Sequence, residues 1–406
     1  MSRAGIAVTG LGVVTAAGIG AKTTWARVCA AEPTAADDPA LTGLPVTFSC
    51  TVPGFDAAAL VGPRSELSQS RFTQLALVAA REAVADARLE PATWRGARVG
   101  VVVGTALGGV PTLEAQRQRM GERGHRAVSP LLIPMFMPNM AAGHIAMDLG
   151  ATGPNFVVAS ACASGASAIC AAAELLWSDR CDVVIAGGAD AAITPLIVSS
   201  FARMGALSRR VADPARASRP FDVARDGFVI GEGSGMLVME RAADATARGV
   251  SGYARLAGYG ASADAHHMTE PDPSGGAVAR AVAEALDSAG ITPSEVDHVN
   301  AHGTSTPLND LTEARTLART LGEGFAVSSA KGVLGHTLGA AGAIEAALSV
   351  LSVSTGEIPP TANLERQDPE IDLDVVSGEV RTAKVDVAVS NSFGFGGQNA
   401  VLVFTT

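Results

Sequence analysis

One cysteine and two histidines, widely separated in the chain, lie where reactive side chains are usually placed. Cys162 comes directly after the apolar run 156–159 and before an alanine-rich run with a helical pattern. A thiol at such a strand-to-helix turn faces the first N–H groups of the helix, whose dipole favours the thiolate. We therefore predict that Cys162 is a nucleophile that forms a covalent intermediate, with a buried structural cysteine as the alternative.

The two histidines lie in loops rich in glycine and threonine. His302 is part of residues 299–307, VNAHGTSTP, and His336 is part of residues 328–342, SSAKGVLGHTLGAAG. In such loops the backbone can approach a ligand closely, and catalytic groups are often found there. Either histidine alone would be interpreted as a core or loop residue, but together with Cys162 they predict one catalytic site.

These motifs give the chain a resemblance to a known family. It resembles the β-ketoacyl-[acyl-carrier-protein] synthases of the thiolase superfamily, most closely the elongating type II enzymes of fatty acid synthesis and the ketosynthase subunits of type II polyketide systems. The resemblance extends from IAVTGLG at residues 6–12 to NSFGFGGQN at residues 391–399. It implies an α/β, thiolase-like fold, in which two pseudo-repeated halves form a layered α-β-α-β-α architecture.

The resemblance also implies a reaction, the decarboxylative Claisen condensation of an enzyme-bound acyl chain with malonyl-acyl carrier protein. Cys162 matches the nucleophile that accepts the acyl chain, and His302 and His336 match the pair that handles the malonyl unit. Loss of CO2 leaves an enolate, which two neutral imidazole N–H groups can stabilise without a metal. The neutral form is expected because the ordinary histidine pKa is about 6.5 and burial lowers it.

Further residues take roles from the same resemblance. Lys331 and Glu313 match a conserved Lys and Glu, which we interpret as a buried ion pair that fixes the local field. Phe395 matches a gating ring whose backbone N–H joins that of Cys162 in an oxyanion hole. Relatives often carry Thr where this chain has Gln398, so the hydrogen bonding of that loop is open.

The substrate is expected to contact hydroxyl groups at one end and apolar side chains at the other. In relatives, two threonines hold the phosphopantetheine arm, and Thr304 and Thr306 match them. A residue in the loop after the strand-like segment 98–105 limits the length of the acyl chain, and Leu107 matches it. The predicted substrate-binding residues are Thr304, Thr306, Leu107, Phe136, Phe201 and Phe393.

The order of motifs indicates a duplicated chain. Four segments of the first part are followed in the same order by four similar ones in the second: 6–12 by 254–260, 76–89 by 277–289, 98–105 by 296–304, and the region around Cys162 by 325–331. We predict a first half, residues 1–250, with cap insertions and Cys162. The second half, residues 251–406, carries His302 and His336.

Composition narrows the classes of function. The 406 residues carry a net charge of −10, which argues against a nucleic-acid partner. Five cysteines without paired spacing, and no cysteine and histidine ligand cluster, predict a reduced, cytoplasmic protein without a structural metal. The sequence contains no run of about 20 apolar residues without a charged residue, so we predict no membrane span. The resemblance implies no cofactor beyond the phosphopantetheine that the carrier protein supplies.

An acidic carrier protein would need a local positive surface on this chain. Basic residues cluster in two stretches, although a solvated arginine face is the ordinary explanation of such runs. The predicted docking residues are Arg117, Arg119, Arg123 and Arg126, with Arg203, Arg209 and Arg210 as a second group. The family also implies a dimer, either with itself or with an unlike, chain-length-factor-like subunit.

Two other functions fit the same fold. The non-catalytic chain-length partner of polyketide heterodimers lacks the reactive cysteine, which this chain has. A thiolase needs a second cysteine near the C-terminal glycine loop, and residues 391–399 contain none. Initiating ketosynthases carry Asn in place of His336, so elongation is favoured. Fatty acid and polyketide pathways share every residue discussed, and the acyl chain length is open.

Overall fold

The computed structural model describes residues 5–406, which form sixteen β-strands and fourteen α-helices. The strands are β1 Ile6–Thr15, β2 Gly18–Ile19, β3 Ala36–Asp37, β4 Phe48–Ser49, β5 Val99–Gly104, β6 Asn155–Val158, β7 Val183–Asp190, β8 Gly233–Arg241, β9 Ala254–Ala263, β10 His298–Asn300, β11 Ala326–Ser328, β12 Glu357–Ile358, β13 Asp374–Val375, β14 Arg381–Thr382, β15 Val387–Gly394 and β16 Gln398–Thr405. The helices are α1 Ala21–Cys29, α2 Ala57–Leu60, α3 Ser65–Ser68, α4 Arg71–Asp86, α5 Val110–Arg123, α6 Leu132–Phe136, α7 Met140–Leu149, α8 Ser164–Trp177, α9 Pro195–Met204, α10 Ala242–Ala247, α11 Gly276–Ala289, α12 Pro307–Leu321, α13 Lys331–Leu334 and α14 Ala341–Thr355.

The strand order shows that the chain is duplicated. In the large sheet the first half runs outward as β1-β8-β7-β5-β6 and the second as β9-β16-β15-β10-β11. Both halves begin with two antiparallel pairings followed by two parallel ones, and the second half adds a third parallel pairing, between β11 and the edge strand β13. The two halves join where three residues of β1 pair with β9. The predicted boundary at residues 250 and 251 falls in the connection between α10 and β9.

Helices separate and cover the two halves of the sheet. The apolar helices α8 and α14 pack against each other and against the inner faces of both halves. On the outer faces, α4 and α7 cover the first half, while α11 and α12 cover the second. Side chains alternate between these layers, because successive residues of a strand point to opposite faces. The predicted α-β-α-β-α architecture is confirmed.

This duplication brings distant loops to one place. Cys162 follows β6, His302 follows β10 and His336 follows β11 with a short helix between. These three strands belong to the parallel parts of the two halves, where loops at the carboxyl ends of strands build binding sites. The duplicated fold therefore brings together three residues that are far apart in the sequence.

The central helix α14 and the turn before it form a long apolar segment. Residues Leu338–Thr355 are long and apolar enough to cross a membrane, with 18 residues and a mean hydropathy of 1.4. In the folded chain 83% of this segment is buried, between the two halves of the sheet. Its place in the core accounts for its apolar character.

Close contact between β1 and α4 depends on glycine, which gives a test of the packing. A Cβ on Gly12 would lie 1.8 Å from the backbone oxygen of Ala79. We expect Gly12→Ala to destabilise the protein by about 3 kcal/mol or more, because helix and strand must separate. Gly143→Ala in α7 is the control, since its Cβ would meet only the Met140 sulfur at 3.9 Å. Urea unfolding should show the loss for Gly12→Ala alone, and equal stabilities would contradict this packing.

Candidate active site

The turn that carries Cys162 is held in an unusual backbone conformation. Ala161 has a φ of 48°, in the left-handed region that alanine rarely adopts. The Ser164 hydroxyl donates to the Ala161 carbonyl at 2.6 Å and accepts from the Ser160 N–H at 2.9 Å. A Cβ on Gly394 would lie 2.5 Å from the Ser160 carbonyl, so the C-terminal glycine loop packs directly on this turn. Strain of this kind is typical of functional sites.

The sulfur of Cys162 is in a poorly solvated place. The pKa of Cys162 is raised to about 12, chiefly by burial, with smaller upward contributions from the nearby carboxylates of Asp190 and Glu345. The charge of Lys331 and a hydrogen bond from the backbone N–H of Phe395 lower it, but they do not outweigh burial. The prediction of a resting thiolate is therefore wrong in direction, because the loss of water costs the anion more than the helix end returns.

The two imidazole rings lie next to each other. The centroids of His302 and His336 are 5.4 Å apart, and their planes are nearly perpendicular at 85°. Burial lowers both pKa values well below the ordinary value, and the positive charge of Lys331 lowers them further. Within residues 5–406 neither Nδ1 has a hydrogen-bond partner. Both rings are therefore neutral at pH 7, as predicted from the sequence.

Glu313 holds the loop of His302 from α12. Its carboxylate accepts the backbone N–H groups of His302 and Gly303, each at 2.8 Å, and the side-chain amide of Asn391 at 3.1 Å. Burial raises the pKa of Glu313, while these donors and the charge of Lys331 lower it. The carboxylate of Glu313 thus fixes the backbone that carries the His302 ring.

The predicted ion pair between Lys331 and Glu313 is wrong. Lys331 at the start of α13 pairs instead with Glu345 of the central helix α14, and both side chains are almost fully buried. Glu313 is already occupied by donors from the His302 loop and Asn391. Burial raises the pKa of Glu345 to about 7, and Lys331 lowers it. Sequence did offer a signal, since Glu345 is the one charge in the apolar segment 338–355.

One cavity of about 510 Å³ contains all three reactive side chains. Thr304 and Thr306, which line it, share a hydrogen bond of 2.9 Å between their hydroxyls. The remaining predicted residues in its wall are Leu107, Phe201, Phe393, Phe395 and Glu313, while Lys331 is outside it.

Phe136 does not line this cavity, and its predicted place in the acyl tunnel stays a prediction. It ends α6, beyond the turn at Gly109. The Gly109 N–H donates to the Phe136 carbonyl at 3.2 Å, and a Cβ on Gly109 would lie 2.7 Å from the Phe136 Cα. The backbone of Phe136 therefore packs closely against the turn at Gly109.

Aromatic rings connect the glycine loop to the histidines. Phe395 lies 6.4 Å from Phe201, which contacts Phe228 edge-on at 5.3 Å, and Phe228 contacts His336 at 5.3 Å. Sequence reasoning missed Phe228, because nothing in its segment links this ring to the motifs around Cys162, His302 and His336. The glycine before it, in RDGFV at residues 225–229, was the available signal for a close approach.

The predicted docking arginines are on the surface, in two separate elements. Arg117, Arg119 and Arg123 are exposed on α5, and Arg126 is exposed just beyond it. Arg203 is exposed on α9, next to Met204 in the cavity wall. Arg209 is also exposed, whereas Arg210 is half-buried and donates to the Ala224 carbonyl at 3.1 Å.

The sequence of this chain matches known protein families and characterised relatives. The family profile "Beta-ketoacyl synthase, N-terminal domain" matches residues 3–245, and "Beta-ketoacyl synthase, C-terminal domain" matches residues 253–365. A 3-oxoacyl-[acyl-carrier-protein] synthase 2 from Synechocystis is 45% identical over 360 residues, 88% of this chain and 86% of the relative. One from Staphylococcus aureus is 41% identical, covering 98% of this chain and 97% of the relative.

Two solved structures superpose on the whole chain. The ishigamide ketosynthase/chain length factor matches with a TM-score of 0.93 and 33% identity, over 100% of this chain and 99% of that one. AntDE:AntF, a type II PKS acyl-carrier protein in complex with its ketosynthase bound to the hexaketide, matches with a TM-score of 0.93 and 32% identity over the same shares.

Proposed function

The chain belongs to the β-ketoacyl synthase family, and we propose that it condenses an acyl chain on Cys162 with malonyl-acyl carrier protein. Its enzyme class is that of the acyltransferases named 3-oxoacyl-[acyl-carrier-protein] synthase. The observation that supports these residue roles is the single cavity lined by Cys162, His302 and His336, with both rings neutral.

In the first step the acyl group moves to the enzyme. The Cys162 sulfur attacks the carbonyl carbon of the carrier thioester, a new carbon–sulfur bond forms, and the pantetheine sulfur leaves. The proton of the Cys162 thiol goes to that leaving sulfur, so the carrier departs as a free thiol. The backbone N–H groups of Cys162 and Phe395 stabilise the oxyanion that forms between these events.

In the second step the malonyl thioester loses CO2 and becomes a carbon nucleophile. The electron pair of the broken bond passes into the thioester as an enolate, whose oxygen accepts N–H groups from His302 and His336. The enolate carbon attacks the acyl group on Cys162, and the β-ketoacyl chain leaves on the carrier. The Cys162 sulfur leaves as a thiolate and takes up a proton, which its raised pKa favours.

The other cavity residues bind and enclose the substrate. The paired hydroxyls of Thr304 and Thr306 hold the phosphopantetheine arm, and Phe393 and Phe395 close the cavity from the glycine loop. Leu107 and Phe201 contact the acyl chain. The carrier protein supplies the phosphopantetheine, and the chain needs no further cofactor for this chemistry.

Catalytic variants separate the two steps. Cys162→Ala should abolish acyl transfer but retain malonyl decarboxylation, because the histidines perform that step. His302→Ala and His336→Ala should each retain acylation of Cys162 and lose condensation by at least about 10²-fold, the usual effect of removing one oxyanion donor. Intact-mass spectrometry detects the acyl-enzyme, and released CO2 reports decarboxylation. Acylation of Cys162→Ala at another residue would contradict the assignment.

Two arginine groups are positioned to receive an acidic carrier protein. Arg203 and Arg209 are exposed close to the cavity residues Met204 and Ala206, while α5 offers a second exposed basic group. We propose that both groups contact the carrier, whose acidic surface complements them. The chain would act on fatty acid or type II polyketide intermediates in the cytoplasm.

Charge reversal tests this docking surface. Arg203→Glu should raise KM for a carrier-bound acyl chain by roughly tenfold, about 1.4 kcal/mol, and leave KM for a small pantetheine thioester unchanged. Arg180→Glu is the control, because Arg180 is exposed beyond the far end of α8 from Cys162. An equal effect of the two variants would contradict docking at Arg203.

The edge of the large sheet offers a surface for a second subunit. β6 is the last strand, with Asn155 and Phe156 exposed, and Ile133 and Met147 expose further apolar surface on α6 and α7. Unpaired edge strands and exposed apolar residues favour association. We propose that a second copy or an unlike subunit pairs here. If the protein sediments only as a 40.9 kDa monomer, both by itself and after co-expression with a partner, the proposed pairing at this edge is contradicted.

A further inference from the structure

Asp190 is a fully buried carboxylate that the mechanism above does not use. It is the last residue of β7 and has no exposed surface. Its Oδ2 accepts the backbone N–H of Ala106 at 2.7 Å and that of Gly339 at 2.8 Å. Its Oδ1 accepts the Thr105 hydroxyl at 2.9 Å and the Leu107 N–H at 3.2 Å. One side chain thus joins two loops that are distant in sequence.

Both loops carry a wall of the substrate cavity. Leu107 lies in the first loop, and Leu338 lies in the second, directly before Gly339. Leu338 has a φ of 51°, a conformation that costs leucine roughly 1–2 kcal/mol and needs support from its surroundings. The Gly339 N–H bond to Asp190 supplies that support on the very next residue.

The approach of the two loops is close and leaves little freedom. A Cβ on Gly339 would lie 2.4 Å from both the Ala106 nitrogen and the Asp190 Oδ2. The Thr105 hydroxyl, which donates to Asp190, also accepts the Gly108 N–H at 3.1 Å, so the turn after Leu107 is tied to the same carboxylate. Four donors on a buried carboxylate fix its position more firmly than neutral hydrogen bonds would.

We propose that Asp190 is a positioning residue that sets the acyl-chain preference, because it fixes Leu107 and Leu338 in the cavity wall. The proposal rests on the condensing function proposed above. Asp190 does not touch the reacting atoms in this account. It decides how deep the apolar end of the cavity is, and hence which straight-chain acyl groups fit over Cys162.

The test is a competition among saturated acyl-carrier thioesters from short to long, with kcat/KM measured for each length. Asp190→Asn replaces acceptor capacity by an NH2 group that faces N–H donors, so the two loops should move apart. We expect the ratio of kcat/KM between long and short chains to change by about tenfold, the discrimination of an apolar pocket that gains or loses one methylene. A purely structural role would instead lower kcat/KM for every length by one common factor.

Double variants show whether the effect passes through the cavity wall. In a Leu107→Ala background, Asp190→Asn should change the length ratio far less, because the side chain that it positions is gone. Asp86→Asn is the matched control. Asp86 accepts the Leu11 N–H at 2.9 Å and the Tyr253 hydroxyl at 3.0 Å, away from the cavity. Asp86→Asn should lower the stability of the protein without changing the ratio of kcat/KM between long and short chains.

A second pair of variants applies if Asp190→Asn does not fold. Thr105→Val removes the hydroxyl donor and should shift the length ratio in the same direction, while Thr105→Ser should restore the wild-type ratio. An unchanged ratio in Asp190→Asn or in Thr105→Val, with the wild-type enzyme active, would overturn the role of Asp190 alone. A wild-type enzyme that acylates Cys162 with no chain in the series would overturn the condensing function itself.

Discussion

The buried pair of Lys331 and Glu345 is the interaction on which the active site depends. Both side chains are almost completely removed from water, so each charge is tolerated only because the other is present. Burial lowers the pKa of both cavity histidines and the charge of Lys331 lowers it further, while the same charge partly offsets the rise that burial causes in the pKa of Cys162. One charge therefore acts on three side chains of the cavity: it adds to the effect of burial on the two imidazoles and opposes the effect of burial on the thiol. Glu345 belongs to the central helix α14, which both halves of the fold bury, and so the charge next to the site is held within the core.

The duplicated fold explains why these groups can meet. A single half would place either the thiol or the imidazoles at the carboxyl ends of its parallel strands, but not both. Packing the halves on α8 and α14 brings the turn of Cys162 against the loops of His302 and His336. The close approach needs small residues: a Cβ on Gly165 would lie 2.7 Å from the backbone nitrogen of Ala343, where the two central helices touch. The alanine-rich, aromatic-poor composition of the chain follows from this geometry, because bulky side chains would separate the layers.

The sequence alone predicted much of the fold and of the candidate site. It failed where a property of a residue depends on its burial or on the partner that it pairs with. The reactive residues and the repeated order of segments could be predicted, because strand-to-helix turns and glycine-rich loops leave local patterns around Cys162 and His336. The partner of Lys331 could not, since two carboxylates are available and only the folded chain shows that Glu313 is occupied by backbone N–H groups. The protonation of Cys162 was predicted in the wrong direction because the helix end is visible in sequence, whereas desolvation is not. Phe136 lies outside the wall of the cavity, and an apolar residue near a motif gives no sequence signal of the groups that it contacts.

The central claim is that burial and Lys331 keep His302 and His336 uncharged while the enzyme works. A lowered pKa means that each ring gains a proton only well below the ordinary histidine pKa of about 6.5. The most direct measurement is a pH titration of the histidine ring signals by NMR in the wild-type protein, with His302→Gln and His336→Gln used to assign the two resonances. Neutral-imidazole shifts are expected for both rings at pH about 6.5, where an ordinary histidine is half protonated. A titration of either ring at or above about 6.5 would contradict it.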